Sequence, residues 1–320
     1  MEVEKTPLVI VTGPTAVGKT NLSVAFAKQM GGEIISADSM QVYRHMNIGS
    51  AKIRPQETKG VPHHLIDLIE PTQAFNITLF QKYAREYIGE IRGRGHLPVL
   101  AGGTGFYIQS VLYDIDFTQE ADDGACRQEL EALCEERGGE WLHTLLAQAD
   151  PEAARQIHPH NRKRVIRALE YYRLTGQRIS EHNEQQREKK SRFRFCYFVL
   201  NDDRRKLYEK IDRRVDQMMA DGLVEEVREL RRMGCLRDMT SMQGLGYKEI
   251  FDYLDGRTTL EEAVYLIKRD TRHFAKRQLT WFRREKDVIW VEKERFGGDE
   301  EKILAYMREK MREKGIGEII

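Results

Sequence analysis

The sequence predicts an α/β protein, a parallel sheet flanked by helices, with an inserted all-helical domain. Three observations carry that expectation. Through the first third, apolar β-branched runs alternate with segments of helical period, the pattern of parallel strands joined by right-handed crossovers. A glycine-rich run sits between the first of these strands and the first helix. Between 116 and 192 the strand-like runs disappear and the chain turns helical and charged. These boundaries divide it into a core, 1–115 plus 193–320, and a helical insertion, 116–192.

Taken in order, Leu8-Val9-Ile10-Val11 reads as a buried strand and Asn21–Lys28 as an amphipathic helix. Between them, Gly13-Pro14-Thr15-Ala16-Val17-Gly18-Lys19-Thr20 has the G-x-x-x-x-G-K-[ST] spacing of a P-loop. Glycines let that backbone wrap an anion, and the following helix N-terminus adds partial positive charge. Lys19 supplies a full charge, and the Thr20 hydroxyl is suited to a Mg²⁺. Glu33–Asp38 and His64–Ile69 read as two further strands, and Thr78–Arg92 as a helix with Phe80, Tyr83, Tyr87, Ile88 and Ile91 on one face. Pro98–Ala101 is a strand that breaks into Gly102-Gly103-Thr104-Gly105. Helices at Ala125–Arg137, Trp141–Gln148 and Arg162–Thr175 make up the insertion. Phe195–Leu200 then returns the chain to the sheet. Helices follow at 204–221, 223–233, 247–254 and 260–285, then a strand at Val288–Val291 and a charged helix at 299–314.

Composition sets the outer limits. In 320 residues, 40% are hydrophobic and 32% charged, as in soluble globular proteins. No apolar stretch approaches the roughly 18–20 residues that span a bilayer. The first residues lack the layout of a signal peptide, so a cytoplasmic protein is expected. Cys126, Cys134, Cys196 and Cys235 are scattered without metal-ligand spacing, which argues for free thiols and against a zinc site. Net charge is only +1, yet it is segregated. Acidic residues crowd 120–123 and 129–140, basic ones 162–178, 187–194 and 268–284. Such a chain can still present a basic face to nucleic acid.

In open parallel sheets, ligands bind beyond the carboxyl ends of the strands. The loop at 13–20, the turn Asp38-Ser39-Met40-Gln41 and the turn Gly102–Gly105 are therefore expected to converge. Asp38 fits a general base there, and equally a Mg²⁺ ligand or a helix N-cap. Nucleoside triphosphatases often end a strand in a Mg²⁺-holding aspartate. Here the corresponding strand ends in glycines and Thr104, which weakens a motor ATPase reading and leaves a small-molecule kinase open. A non-catalytic, GTPase-like RNA-binding module is the third possibility. On the 260–285 helix, Arg269, Arg272, Lys276 and Arg283 form a stripe opposite Val264, Ile267, Phe274 and Trp281, as a solvated face or a phosphate track would.

Several segments together resemble one family, the tRNA dimethylallyltransferases or tRNA isopentenyltransferases. They are Gly13–Thr20, Asp38–Arg44, Gly102–Tyr107, His160–Glu170, Gln243–Glu249 and Ala275–Phe282. The match runs in order over most of the chain and is of the bacterial type, without a zinc-finger tail. The resemblance implies transfer of a dimethylallyl group from its diphosphate to N6 of the adenine 3′ to the anticodon, adenosine-37, in tRNAs reading UNN codons. It implies Asp38 as the base, with Thr104 and Arg214 at the diphosphate or reacting centre. Arg213, beside Arg214, is the competing choice of register. Gly13, Pro14, Thr15, Ala16, Val17, Gly18, Lys19 and Thr20 would hold the diphosphate, with Thr20 on Mg²⁺. Asp38, Ser39, Met40, Gln41, Thr104, Arg127, Asn161, Arg162, Lys163, Arg164, Val165 and Arg167 would touch the tRNA anticodon stem-loop. The adenine would flip out of its stack, the insertion would act as a clamp, and the enzyme would be a monomer with no membrane partner.

Overall fold

The computed structural model describes residues 5–117, 124–188 and 190–317. The chain divides into two compact units, 1–112 with 192–320, and 113–191. In the first unit, β1 (Thr6–Thr12) leads into α1 (Lys19–Gln29) and β2 (Gly32–Ser36). Then come β3 (His63–His64), α2 (Ile77–Gly93), β4 (Leu97–Gly102) and α3 (Gly105–Leu112). The second unit contains α4 (Ala125–Arg137), α5 (Gly139–Ala149), α6 (Pro151–Gln156), α7 (Arg162–Thr175) and α8 (Ile179–Glu188). The chain re-enters the first unit as β5 (Phe193–Asn201), α9 (Arg204–Ala220), α10 (Leu223–Arg232) and α11 (Tyr247–Leu254). It closes with α12 (Leu260–Phe282), β6 (Val288–Glu292) and α13 (Glu300–Glu313).

The six strands form one parallel sheet in the order β3-β2-β4-β1-β5-β6. Leu8, Val9, Ile10 and Val11 at its centre are wholly buried, as a strand covered on both faces requires. Val9, Val11, Phe26, Phe198 and Leu304 belong to one cluster under α1 and α13. The helical unit has a separate core of Leu130, Leu142, Leu146, Val165 and Leu169.

Three expectations change. The predicted strand at 64–69 shrinks to a two-residue β3, because Leu65 and Asp67 take left-handed backbone conformations with φ of 62° and 51°. The hydrogen bonds of that segment turn to the neighbouring loop instead: Leu68 and Ile69 donate to the Val42 carbonyl, and Arg44 donates to that of Ile69. On α12 the buried face is Ala263, Ile267, Ala275, Gln278 and Phe282, whereas Val264, Phe274 and Trp281 are only half-buried. The basic stripe is also broken. Arg272 pairs with Asp212 at 2.5 Å on neighbouring α9, Arg269 pairs with Asp270, and only Lys276 and Arg283 stand exposed. The acidic run at 120–123 lies outside the described residues. Among the described residues, no helix is long and apolar enough to cross a membrane.

Candidate active site

At the carboxyl end of β1 the chain makes the loop at 13–20. Gly13 has φ of 145°, and a Cβ there would come within 2.4 Å of the Leu200 carbonyl oxygen, so β5 admits only glycine. Gly18, with φ of 96°, starts α1. No side chain caps that start and no acidic residue lies in its first turn, so the first-turn N–H groups remain for an anion. The Val17 N–H closes a turn on the Pro14 carbonyl, and the Val17 side chain is core. Lys19 folds back and donates to the Gly13 and Pro14 carbonyls at 3.0 and 2.8 Å.

Arg214 comes from α9, which buries Leu207, Ile211 and Val215. That phase leaves Arg213 exposed and Arg214 half-buried. Arg214 is close enough to act electrostatically on Lys19, and Asp38 acts on both. Burial, then the Arg214 charge, brings the Lys19 ammonium down to about 7, with Asp38 opposing. Burial likewise lowers Arg214, again against Asp38. Two cations are thus drawn together with one carboxylate.

Asp38 follows β2 and is half-buried. Its Oδ1 accepts the Met40 N–H at 2.8 Å and the Gln41 N–H at 3.4 Å, which pins the turn. The Thr104 N–H donates to the Ala37 carbonyl at 3.2 Å, bringing Thr104 beside Asp38 at the start of α3. Gly102 permits this approach, since a Cβ there would lie 2.2 Å from the Ala37 oxygen. Loop 13–20, Asp38 and Thr104 therefore share one sheet edge. Ser39 and Met40 are half-buried, and a Cβ on Gly244 would meet the Met40 sulfur at 2.7 Å. The Gln41 side-chain amide is tied to Ser36, Ser50 and Ala51, so its first task is to hold the turn.

Thr20 is exposed on the first turn of α1. Among the described residues, no cluster of His, Cys, Asp or Glu forms a metal cage. Its hydroxyl would supply one oxygen to a Mg²⁺, an ion that usually keeps several of its waters.

In the helical unit, Asn161 precedes α7, and Asn161, Arg162, Lys163, Arg164 and Arg167 are exposed. Val165 is fully buried in that unit's core, so its side chain is core and not contact surface. Arg127 reaches from α4 to grip both oxygens of Glu170 at 3.1 and 3.0 Å, and Arg167 shares the same carboxylate at 2.9 Å.

One residue escaped the sequence reasoning. Gln278, 6% exposed on α12, accepts the Thr15 N–H at 2.9 Å and donates to the Gly103 carbonyl at 2.9 Å. Its only signal in the sequence was a polar residue on the buried face of an amphipathic helix, within Lys276-Arg277-Gln278-Leu279-Thr280-Trp281.

Comparison with known proteins bears on the chain as a whole. Residues 41–285 match the family described as IPP transferase, and residues 6–70 match isopentenyl transferase. The tRNA dimethylallyltransferase of Lachnoclostridium phytofermentans is 58% identical over 97% of this chain and 99% of its own length. The crystal structure of the tRNA isopentenylpyrophosphate transferase from Bacillus halodurans is 45% identical, covers 98% of both chains and superposes with a TM-score of 0.72. A eukaryotic dimethylallyltransferase described as acting on tRNA is 27% identical over 90% of this chain and 74% of its own, with a TM-score of 0.74. The chain belongs to the IPP transferase family, that of the tRNA dimethylallyltransferases.

Proposed function

We propose that the protein transfers a dimethylallyl group from dimethylallyl diphosphate to N6 of adenosine-37 in tRNAs reading UNN codons, releasing diphosphate. The observation that carries this reading is the gathering of two half-buried cations, Lys19 and Arg214, within electrostatic reach of Asp38 at the end of the sheet that also holds the anion-binding loop. The adenine amino group is a weak nucleophile, because its lone pair is delocalised into the ring. The reaction therefore depends on making the leaving group leave.

As the C1–O bond breaks, its electron pair goes to the diphosphate. The first-turn N–H groups of α1, Lys19 and Arg214 stabilise that growing charge. As C1 bonds N6, a proton leaves N6 for Asp38, whose turn is already pinned by the Met40 and Gln41 N–H groups. Thr104, beside Asp38, orients the reacting groups. Mg²⁺, held by Thr20, would neutralise part of the diphosphate charge. To reach Asp38 the base must leave its stack, with the exposed cations at the start of α7 on the backbone of the stem-loop.

Offering unmodified tRNA and Mg²⁺ with either labelled dimethylallyl diphosphate or γ-labelled ATP tests the reading. Label is expected in tRNA from the prenyl donor alone. Phosphate transfer from ATP would overturn it in favour of a kinase.

A further inference from the structure

The structure assigns Gln278 a positioning role: it fixes the distance between the loop that takes the diphosphate and the turn beside Asp38. The inference rests on the function proposed above. Sheet pairing between β1 and β4 ends at Thr12 and Gly102, and that between β2 and β4 ends at Ser36 and Ala101. Beyond those points the second pair is still tied, since Ala37 donates to Ala101 and Thr104 donates to Ala37. The first pair keeps a tie at its last register, where Thr12 Oγ1 donates to the Gly102 carbonyl at 2.6 Å, but no direct one beyond it among the described residues. Among the described residues, no backbone hydrogen bond joins loop 13–20 to turn 102–105. The Gln278 amide makes that link, with Oε1 on the Thr15 N–H and Nε2 on the Gly103 carbonyl.

Both contacts are with main chain, so a donor faces an acceptor at each end and the amide has one orientation. Gly103 is cut to fit it: a Cβ there would lie 2.4 Å from Gln278 Nε2. The link has a second consequence. By taking the Thr15 N–H, Gln278 turns that donor away from the anion and leaves diphosphate binding to the first turn of α1. From Thr15 through Gln278, Gly103, Thr104 and Ala37, an unbroken path of hydrogen and covalent bonds ends at Asp38. The separation of leaving group and base is set along that path. A misplacement of about 1 Å in such a geometry costs roughly 100-fold in rate.

Two variants separate the halves of the link. Gln278→Glu keeps an acceptor for the Thr15 N–H but sets a second oxygen against the Gly103 carbonyl. Gln278→Met, of similar size, removes both bonds. Each is titrated with inorganic diphosphate and Mg²⁺ by calorimetry, its thermal midpoint is recorded, and it is assayed for prenyl transfer to tRNA. Gln278→Glu is expected to bind diphosphate within about 3-fold of wild type, while kcat falls about 10- to 100-fold and the KM for tRNA is unchanged. Gln278→Met is expected to lose diphosphate affinity as well. Should Gln278→Met fail to fold, Gln278→Glu alone decides. A folded Gln278→Glu with kcat within about 3-fold of wild type overturns the inference, as does a kcat loss matched by an equal loss of diphosphate affinity. A wild type that neither binds diphosphate nor transfers the prenyl group overturns the proposed function itself, and the inference with it.

Discussion

At the amino end of β2, Glu33 is buried and accepts from Arg94 through both Nε and Nη2, at 3.0 and 2.8 Å. His64 and His96 add ring nitrogens at 2.7 and 2.6 Å. The Arg94 bonds lead in lowering this carboxyl to about 2, burial opposes them, and the two histidines assist. Just past the carboxyl end of the same strand, Asp38 receives, among the described residues, only the N–H groups of its own turn. Near it, Lys19 and Arg214 are half-buried, and neither forms an ion pair among the described residues. One end of the strand is electrostatically saturated and the other is left open. Saturation holds a fold together, whereas unspent charge held in place by the fold is capacity to bind and react.

The comparison can be broken most sharply at Asp38. Asp38→Ala is expected to lower single-turnover prenyl transfer by about 10²–10⁴-fold while tRNA affinity changes little. Near-normal single-turnover rates would remove Asp38 from the base role. Next in size, Arg214→Leu is expected to cost about 10²–10³-fold in kcat, as for loss of one charge-stabilising donor. Arg213→Leu, on the exposed face, is expected to cost almost nothing, and equal effects of the two would refute the assignment by helix phase.

At the saturated end, Glu33→Gln is expected to lower unfolding free energy by about 2 kcal/mol, with activity retained at permissive temperature. Because the folded carboxyl is lowered, its stabilisation is complete above the unfolded value near 4.5 and is lost as pH falls towards about 2. The gap between wild type and variant in urea melts is therefore expected to close over that window, and a gap that stays constant would count against it. Smallest is a fractional proton. With Lys19 near 7, most of it is neutral in the free protein at about pH 8, and a bound diphosphate favours the charged form. Calorimetry in two buffers of different ionisation enthalpy is expected to show more proton uptake on diphosphate binding by wild type than by Lys19→Met. Equal uptake would show that Lys19 is already charged.

Much of the fold was legible because its signals are local. The helices at Ala125–Arg137, Arg162–Thr175 and Tyr247–Leu254 begin and end where the sequence pattern does. Glycines mark several of those ends: Gly124 and Gly138 flank α4, and Gly176, with φ of 71°, stops α7. Three helices at 105–112, 151–156 and 179–188 were not read: the first opens on glycines, the second is only six residues long, and the third has little apolar periodicity. At 64–69 the alternating apolar residues serve a loop instead of the sheet, which only left-handed residues and long-range partners reveal. The site divides in the same way. Spacing exposes loop 13–20, but Gln278 lies 263 residues from Thr15, and no local rule joins them. The choice between Arg213 and Arg214 needed the packing phase of α9.

The central strand also dictates when this protein can be finished. Its neighbour β4 is made early, but its other neighbour, β5, is paired across nearly two hundred residues of sequence. On a ribosome adding about 5–20 residues per second, β1 waits on the order of ten seconds or more with one flank unpaired. Its run of Leu8, Val9, Ile10 and Val11 is apolar and strand-prone, a poor segment to leave open during synthesis. The helical unit, closed by contacts within its own stretch of chain, is complete before β5 emerges. The anion loop thus gains the wall that β5 supplies only after the whole helical unit has been synthesised, and its Gln278 contact later still.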